Sequence, residues 1–171
     1  MQFLRNDLDK LTSSRIDIDE PIDIEVTKLV NRNRLIALRD VFVVGHIYYD
    51  KYTSHLITDL RIEGIMTVPC AITLNPFDIE FSAKLGEMFS FDEVEDELAD
   101  TVELIDGETL DLTPYLEEVV NAAVPLKAID PELTSYPKGE GWEVLTEEDY
   151  IKEKSQEIDP RLAKLKDFKF E

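Results

Sequence analysis

A single cysteine in 171 residues excludes an internal disulfide and fits a reducing cytoplasm. No stretch approaches the roughly 20 apolar residues that a membrane-spanning helix requires. The first residues, Met1-Gln-Phe-Leu-Arg-Asn-Asp7, lack the basic start and apolar run of a signal peptide. The expectation is a cytoplasmic chain with no membrane partner. Cys70, His46 and His55 are the only soft or imidazole groups, and no C-x-x-C pair accompanies them. A zinc site needs more ligands than these offer. Cys70 reads as a small buried hydrophobe at a strand end, and the histidines as parts of strand faces. Six glycines leave no glycine-rich phosphate loop, since Gly139-x-Gly141 follows no strand signal. Asp17-x-Asp19 and Asp92–Asp96 lack the central Gly and closing Glu of a calcium loop. No catalytic residue, metal or cofactor is expected.

Positive charge is also scarce. Thirty-eight Asp and Glu against 18 Lys and Arg leave a net charge of −20. From Leu85 to Leu126 there is no Lys, Arg or His, while that span holds 13 acidic residues, from Glu87 to Glu118. Such a run is either a solvated loop that keeps the protein soluble or a docking surface for a basic partner. In the second reading Asp92, Glu93, Glu95, Asp96 and Glu97 are the interface residues. A chain this acidic repels nucleic-acid phosphate as a whole, so DNA is not expected as a partner, and RNA contact would need a local basic patch.

What is present in strength is β patterning, and it centres on residues 60–91. Leu60, Ile62, Met66, Val68 and Cys70 fall on alternate positions, and Phe77, Ile79, Phe81, Ala83 and Leu85 repeat the pattern on the return. Period-two alternation of this length marks strands with one buried face. Asn75-Pro76 supplies turn chemistry, with Pro76 able to start the return strand. Gly64, beside the ambiguous pair Ile65-Met66, hints at a bulge. Earlier strand signals are Ile16–Val26, broken at Pro21 into two short strands or forming an edge, and Val41–Tyr49. Residues 1–14 are either a short helix, with Phe3, Leu4, Leu8 and Leu11 on one face, or a loose arm. The fold class is α+β: an antiparallel sheet or partly closed barrel built on the hairpin of about 60–91.

One helix is expected over about 112–125 to cover that sheet. Thr113 or Asp111 can cap it, and Pro114 fits the first turn, where a missing N–H costs nothing. Glu117 and Glu118 are expected early enough to face the positive end of the helix dipole. Leu112, Tyr115, Leu116, Val119, Val120 and Ala123 make one apolar stripe at helical spacing, and Pro125 ends it. The domain is read as residues 1–126, with an acidic linker at 92–109. Residues 127–171 form a loop-rich extension in which Thr146-Glu-Glu-Asp149 can start an exposed helix. The extension ends in a small amphipathic unit around Arg161, Leu162 and Leu165, which is either an interface or a cap on the sheet. From Pro160 to Glu171 this tail carries four positive charges against two negative.

Three landmarks in this order resemble the YceD family, the large ribosomal RNA subunit accumulation proteins. They are Glu63-Gly-Ile-Met-Thr-Val-Pro-Cys-Ala-Ile-Thr-Leu-Asn-Pro-Phe77, the helix Asp111-Leu with Glu117-Glu118 and Ala123-Val-Pro125, and the terminal Asp159-Pro-Arg-Leu-Ala-Lys-Leu165. The likeness covers about Ile24 to Phe168. The stretch Gly141-Trp-Glu-Val-Leu-Thr-Glu-Glu148 resembles the Gram-positive branch. Many members carry C-x-x-C at the hairpin turn, whereas here the second position is Thr73. Any metal or redox use of that pair is therefore closed to this chain, and the turn, with Cys70 and Pro76, is read as structural. The resemblance implies a part in 23S rRNA accumulation during large-subunit assembly, and no reaction. Joined to the charge, it leads to the expectation of a non-enzymatic assembly factor. Its acidic face would bind a basic ribosomal protein or maturation factor, with at most limited 23S rRNA contact through the C-terminal tail. The other reading is an acidic nucleic-acid mimic or adaptor acting outside ribosome assembly.

Overall fold

The computed structural model describes residues 1–29, 34–94 and 100–156. In chain order the elements are β1 (Gln2–Leu4), α1 (Arg5–Leu8), β2 (Arg15–Pro21), a 3-10 turn (Val26–Lys28), β3 (Ala37–Asp50), β4 (His55–Pro69), β5 (Pro76–Leu85), β6 (Met88–Ser90), β7 (Val102–Leu104), β8 (Thr109–Asp111), α2 (Thr113–Ala123), β9 (Lys138–Gly139), β10 (Trp142–Glu143) and α3 (Glu147–Gln156). The chain divides into two compact units, Met1–Ala128 and Ile129–Glu171. The class is α+β with sheet predominant, and the described strands form no closed barrel.

β4 is the spine of the first unit. Apart from the half-buried Gly64, its even-numbered residues Leu56, Thr58, Leu60, Ile62, Met66 and Val68 are buried, as alternation requires. The four largest apolar ones, Leu56, Leu60, Ile62 and Met66, stabilise the fold by roughly 1.5–3 kcal/mol each through removal from water. β3 pairs along one edge of β4, and β2 pairs with β3. On the other edge β5 pairs from Leu60↔Leu85 to Pro69↔Pro76, and β6 continues from Ile57↔Met88 in the same register. Gly86 and Glu87 separate the two strands. Thr58 bridges the break: its N–H donates to the Glu87 carbonyl at 2.9 Å, and its hydroxyl accepts from the Glu87 N–H at 2.9 Å.

Several expectations are corrected. The sheet is mixed rather than purely antiparallel, because β7 joins β6 in parallel, Phe89 opposite Glu103. The central arm starts at His55 and carries no bulge, and Gly64 pairs in register with Phe81. The irregularity lies across the ladder, between Arg39 and Phe42 of β3, where Asp40 takes φ 50°. One extra residue there re-phases β3, so that Leu38 and Val43 both face inward opposite Met66 and Ile62. Gly64 is needed because a Cβ would lie 3.0 Å from the Phe81 ring and 3.1 Å from the Val41 Cα.

Of the two readings at Pro21 the edge is the one found, since β2 stands at the end of the sheet order and stops at Pro21, and no second short strand follows. Ile22 donates a single backbone bond to the Val41 carbonyl at 2.9 Å, and the chain then turns through the 3-10 segment. Residues 1–14 are neither one helix nor a loose arm. β1 pairs with β8, and one helical turn follows, with Leu8 buried. The 92–109 span is more than a linker, since it contains β7 and the start of β8.

α2 closes the core. Leu112, Leu116 and Val120 are fully buried at helical spacing, and the helix lies against β5. Its N-cap is Leu112, which makes no side-chain cap, and Pro114 sits in the first turn. Asp111 instead accepts the Thr113 N–H at 2.9 Å from just outside the helix. Glu117 and Glu118 fall beyond the first turn, which holds no acid, so the dipole argument does not apply to them. In the second unit β9 and β10 form a small hairpin, where a plain loop was expected. α3 begins after Thr146, whose hydroxyl accepts the Asp149 N–H at 3.0 Å and donates to its carboxylate at 2.7 Å.

Candidate functional site

The acid-rich stretch is distributed over the β5–β6 junction, β6, β7, β8 and α2. It holds two kinds of carboxylate. The first kind is bound within the molecule. Asp92 receives both prongs of the Arg5 guanidinium, Nη1 to Oδ1 at 2.9 Å and Nη2 to Oδ2 at 2.8 Å, while Nη2 also donates to Ser54 Oγ at 3.0 Å. The hydrogen bond from Arg5 holds the Asp92 carboxyl below its ordinary value. Asp111 accepts from Gln2 Nε2 at 3.0 Å, and the N-terminal ammonium lies 3.8 Å away. Its carboxyl is pulled down to about 2, first by the Gln2 bond and then by Thr113.

The second kind is directed outward. Glu87, Glu93, Asp100, Glu103, Asp106, Glu108 and Glu118 are exposed, and among the described residues no ion pair reaches them. Three of them, drawn from the β5–β6 junction, β7 and α2, converge electrostatically on one point. The Tyr115 hydroxyl is pushed up first by partial burial, next by the charge of Glu103 and its hydrogen bond to that carboxylate, and then by the charges of Glu118 and Glu87. The Tyr115 ring stands edge-on to the buried Phe89, with centroids 4.8 Å apart, which fixes it between sheet and helix. Such a surface can attract and hold a cationic chain.

Of the interface residues expected from sequence, Asp92 is engaged by Arg5 and Glu93 is exposed. Glu95, Asp96, Glu97, Arg161, Leu162 and Leu165 lie outside the described residues. Sequence reasoning did not single out Glu87, Glu103 and Glu118 as a group. The signal available for them was the span without a cation, and their meeting depends on the parallel β6–β7 pair. Cys70 is 1 % exposed at the hairpin tip, where its N–H donates to the Asn75 carbonyl at 2.8 Å, and Pro76 opens β5 opposite Pro69. His46 lies on the outer sheet face, its Nε2 3.5 Å from an Asp59 oxygen, and His55 starts β4. Among the described residues no cluster of three or more His, Cys, Asp or Glu is placed to hold a metal, and no helix is long and apolar enough to cross a membrane.

Residues 58–169, from the middle of β4 into the C-terminal tail, match the family model described as "Large ribosomal RNA subunit accumulation protein YceD". A relative in Bacillus subtilis (strain 168), "Uncharacterized protein YlbN", is 31 % identical over 170 residues, which span 96 % of this chain and 94 % of that one. No solved structure shows a significant match. The family description names the accumulation of an RNA and no reaction. The matched span takes in the hairpin, the acidic surface, α2 and the terminal motif, and the chain belongs to the YceD family of large ribosomal RNA subunit accumulation proteins.

Proposed function

We propose that this protein is a non-enzymatic, cytoplasmic factor in large ribosomal subunit assembly, and that it supports 23S rRNA accumulation by binding a basic ribosomal protein or maturation factor through its acidic surface. The observation that carries the proposal is the set of outward carboxylates gathered by β6, β7 and α2, with Glu87, Glu103 and Glu118 around Tyr115. Ribosome assembly requires strongly basic chains to be held before their RNA site is ready. A patch of one sign steers such a chain and raises its association rate, with a strong dependence on salt. The same charge opposes direct wrapping of RNA. Contact with 23S rRNA is then limited to the C-terminal tail, where Arg161, Lys164, Lys166 and Lys169 are clustered.

The test is recovery of partners on the tagged protein from cell lysate at low and moderate salt, with and without nuclease. Large-subunit ribosomal proteins should persist after nuclease treatment. They should be lost when Glu87, Glu103 and Glu118 are changed to Gln together with Glu93, Glu95, Asp96 and Glu97 to their amides. If 23S rRNA is recovered and nuclease abolishes all partners, the RNA contact is primary and the acidic-surface reading fails. Unchanged recovery in the neutralised variant sinks it equally.

A further inference from the structure

β2 ends the sheet with an open edge. Among the described strands it pairs with β3 alone and stands last in the sheet order. Two backbone bonds fix which of its residues point inward. The Tyr49 N–H donates to the Ser14 carbonyl at 2.7 Å, and the Ile22 N–H donates to the Val41 carbonyl at 2.9 Å. Both β2-side residues are even-numbered, and antiparallel pairing alternates the direction of successive residues. The N–H and C=O groups of Ile16, Ile18 and Glu20 therefore face β3, and those of Arg15, Asp17 and Asp19 face away. Pro21 offers only a carbonyl. The Arg15 N–H is taken by Ser13 Oγ at 3.2 Å. Among the described residues no acceptor reaches the N–H of Asp17 or Asp19.

The side chains sort by the same alternation. Asp17 and Asp19 are exposed on the outer face, while Ile16 and Ile18 turn toward the core, the first half-buried and the second buried. From Arg15 to Asp23 the chain holds one Arg against three Asp and one Glu. Arg15 Nε donates to Asp17 Oδ1 at 2.7 Å, an exposed pair of small worth. Among the described residues no ion pair reaches Asp19, Glu20 or Asp23. Charge on an edge strand guards a protein against edge-to-edge aggregation. Here the guard is mostly of one sign, so it repels a second copy of this strand and favours a cationic one.

We propose that the β2 edge is a docking site for an extended basic protein segment, which adds to the sheet as one further strand. The segment's backbone bonds to the outward groups of Asp17 and Asp19. β2 dictates its alternation: Lys or Arg beside Asp17 and Asp19 on the outer face, aliphatic residues beside Ile16 and Ile18 on the inner one. The seven residues of β2 set the length, and Pro21, which lacks a donor, marks one end. The inference rests on the proposed preference for a basic partner and adds a contact of a different kind. The carboxylates around Tyr115 attract by charge, whereas an added strand fixes register. Nucleic acid is repelled by the same carboxylates and has no peptide ladder to offer.

The probe is a short peptide of alternating Lys and Val, added to the isotope-labelled full chain while amide exchange is followed residue by residue. Exchange at the Asp17 and Asp19 N–H should slow about tenfold, while Ile16 and Ile18, already bonded to β3, should not change. The same peptide N-methylated at every residue keeps its charge, cannot pair, and should protect neither position. Asp19→Asn should weaken binding about threefold through lost charge. Asp19→Pro, which also deletes the outward N–H, should weaken it about fivefold more. Proline is tolerated where an edge N–H faces outward, so this variant should melt near the parent temperature. Should it fail to fold, the N-methylated peptide still decides. With Glu87, Glu103 and Glu118 changed to Gln, protection at β2 should persist, so this site and the acidic surface fail separately. Equal binding of the N-methylated peptide would overturn the proposal, as would no binding at all, or binding without protection at Asp17 and Asp19. Protection there that rises with concentration of the protein alone would assign the edge to a second copy and overturn it too.

Discussion

Arg5 and Asp92, 87 positions apart in sequence, meet in a two-pronged ion pair that ties the N-terminal turn to the start of the acidic segment. Arg5 also lies over the Phe91 ring, 5.8 Å from its centroid. Planar, forked donation is something Lys cannot reproduce. Arg5→Ala and Arg5→Lys should therefore both lower the melting temperature, and the difference from the parent should shrink in about 1 M salt. Thermal melts at two salt concentrations measure it. Equal stability of parent and Arg5→Lys would show that the fork is unimportant.

Acid should weaken the join between the N-terminus and α2. Asp111 is lowered from 3.8 to about 2, and the direction is the same at Asp92. A carboxyl lowered in the folded state contributes stability that is complete above its unfolded value and is lost as pH falls through the folded one. The window for Asp111 is therefore pH 3.8 down to about 2. Urea midpoints across that range should fall less steeply in Asp111→Asn than in the parent.

Alkali acts at Tyr49. Burial, followed by the hydroxyl's bond to Asp9 Oδ1 at 2.8 Å, raises this group from 10.0 to about 12. The sign is the reverse of the carboxylate case: stability is complete below the unfolded value of 10.0 and is lost as pH rises through about 12. Tyr49→Phe should flatten that loss, at a cost of about 1 kcal/mol at neutral pH for the missing hydrogen bond. Ultraviolet titration should show Tyr49 ionising late, and the late absorbance change should shrink in Tyr49→Phe to the part due to Tyr115, whose hydroxyl is also raised.

Gly45 tests the close approach of β3 and β4. It adopts φ 147°, and a Cβ built there would fall 2.2 Å from the Asp59 carbonyl oxygen. That oxygen is backbone of the neighbouring strand and cannot swing aside. Gly45→Ala should cost roughly 1–3 kcal/mol through strain and overpacking. At Gly107, where nothing lies within 4 Å of such a Cβ, the cost should be smaller despite φ 89°. Denaturant unfolding of both variants compares them directly.

Legibility in the sequence followed the distance over which each interaction acts. Leu60, Ile62, Met66 and Val68 announced β4 because alternation is written within one strand, and Leu112, Leu116 and Val120 announced α2 for the same reason at a period of 3.6. The three-residue β1 carried no readable period, since its existence rests on a partner more than a hundred positions away. The bulge signal in the sequence is Gly64 beside the ambiguous pair Ile65-Met66. Its true place at Asp40 depends on a backbone angle that no composition rule reveals. The carboxylates were countable, but which ones are bound and which face outward was not.

From its sequence alone this protein is an acidic α+β chain with one buried strand face, one covering helix and family landmarks that place it among large ribosomal RNA subunit accumulation proteins. Those properties depend on side-chain type and short-range spacing. Only the tertiary structure decided that Asp92 and Asp111 brace the N-terminus while Glu87, Glu103 and Glu118 gather at Tyr115. It also decided that Leu74 and Leu126 line one cleft at the hairpin tip. Each of these depends on strands and a helix that meet across long stretches of chain, and charge or burial becomes a site only once such segments are brought together.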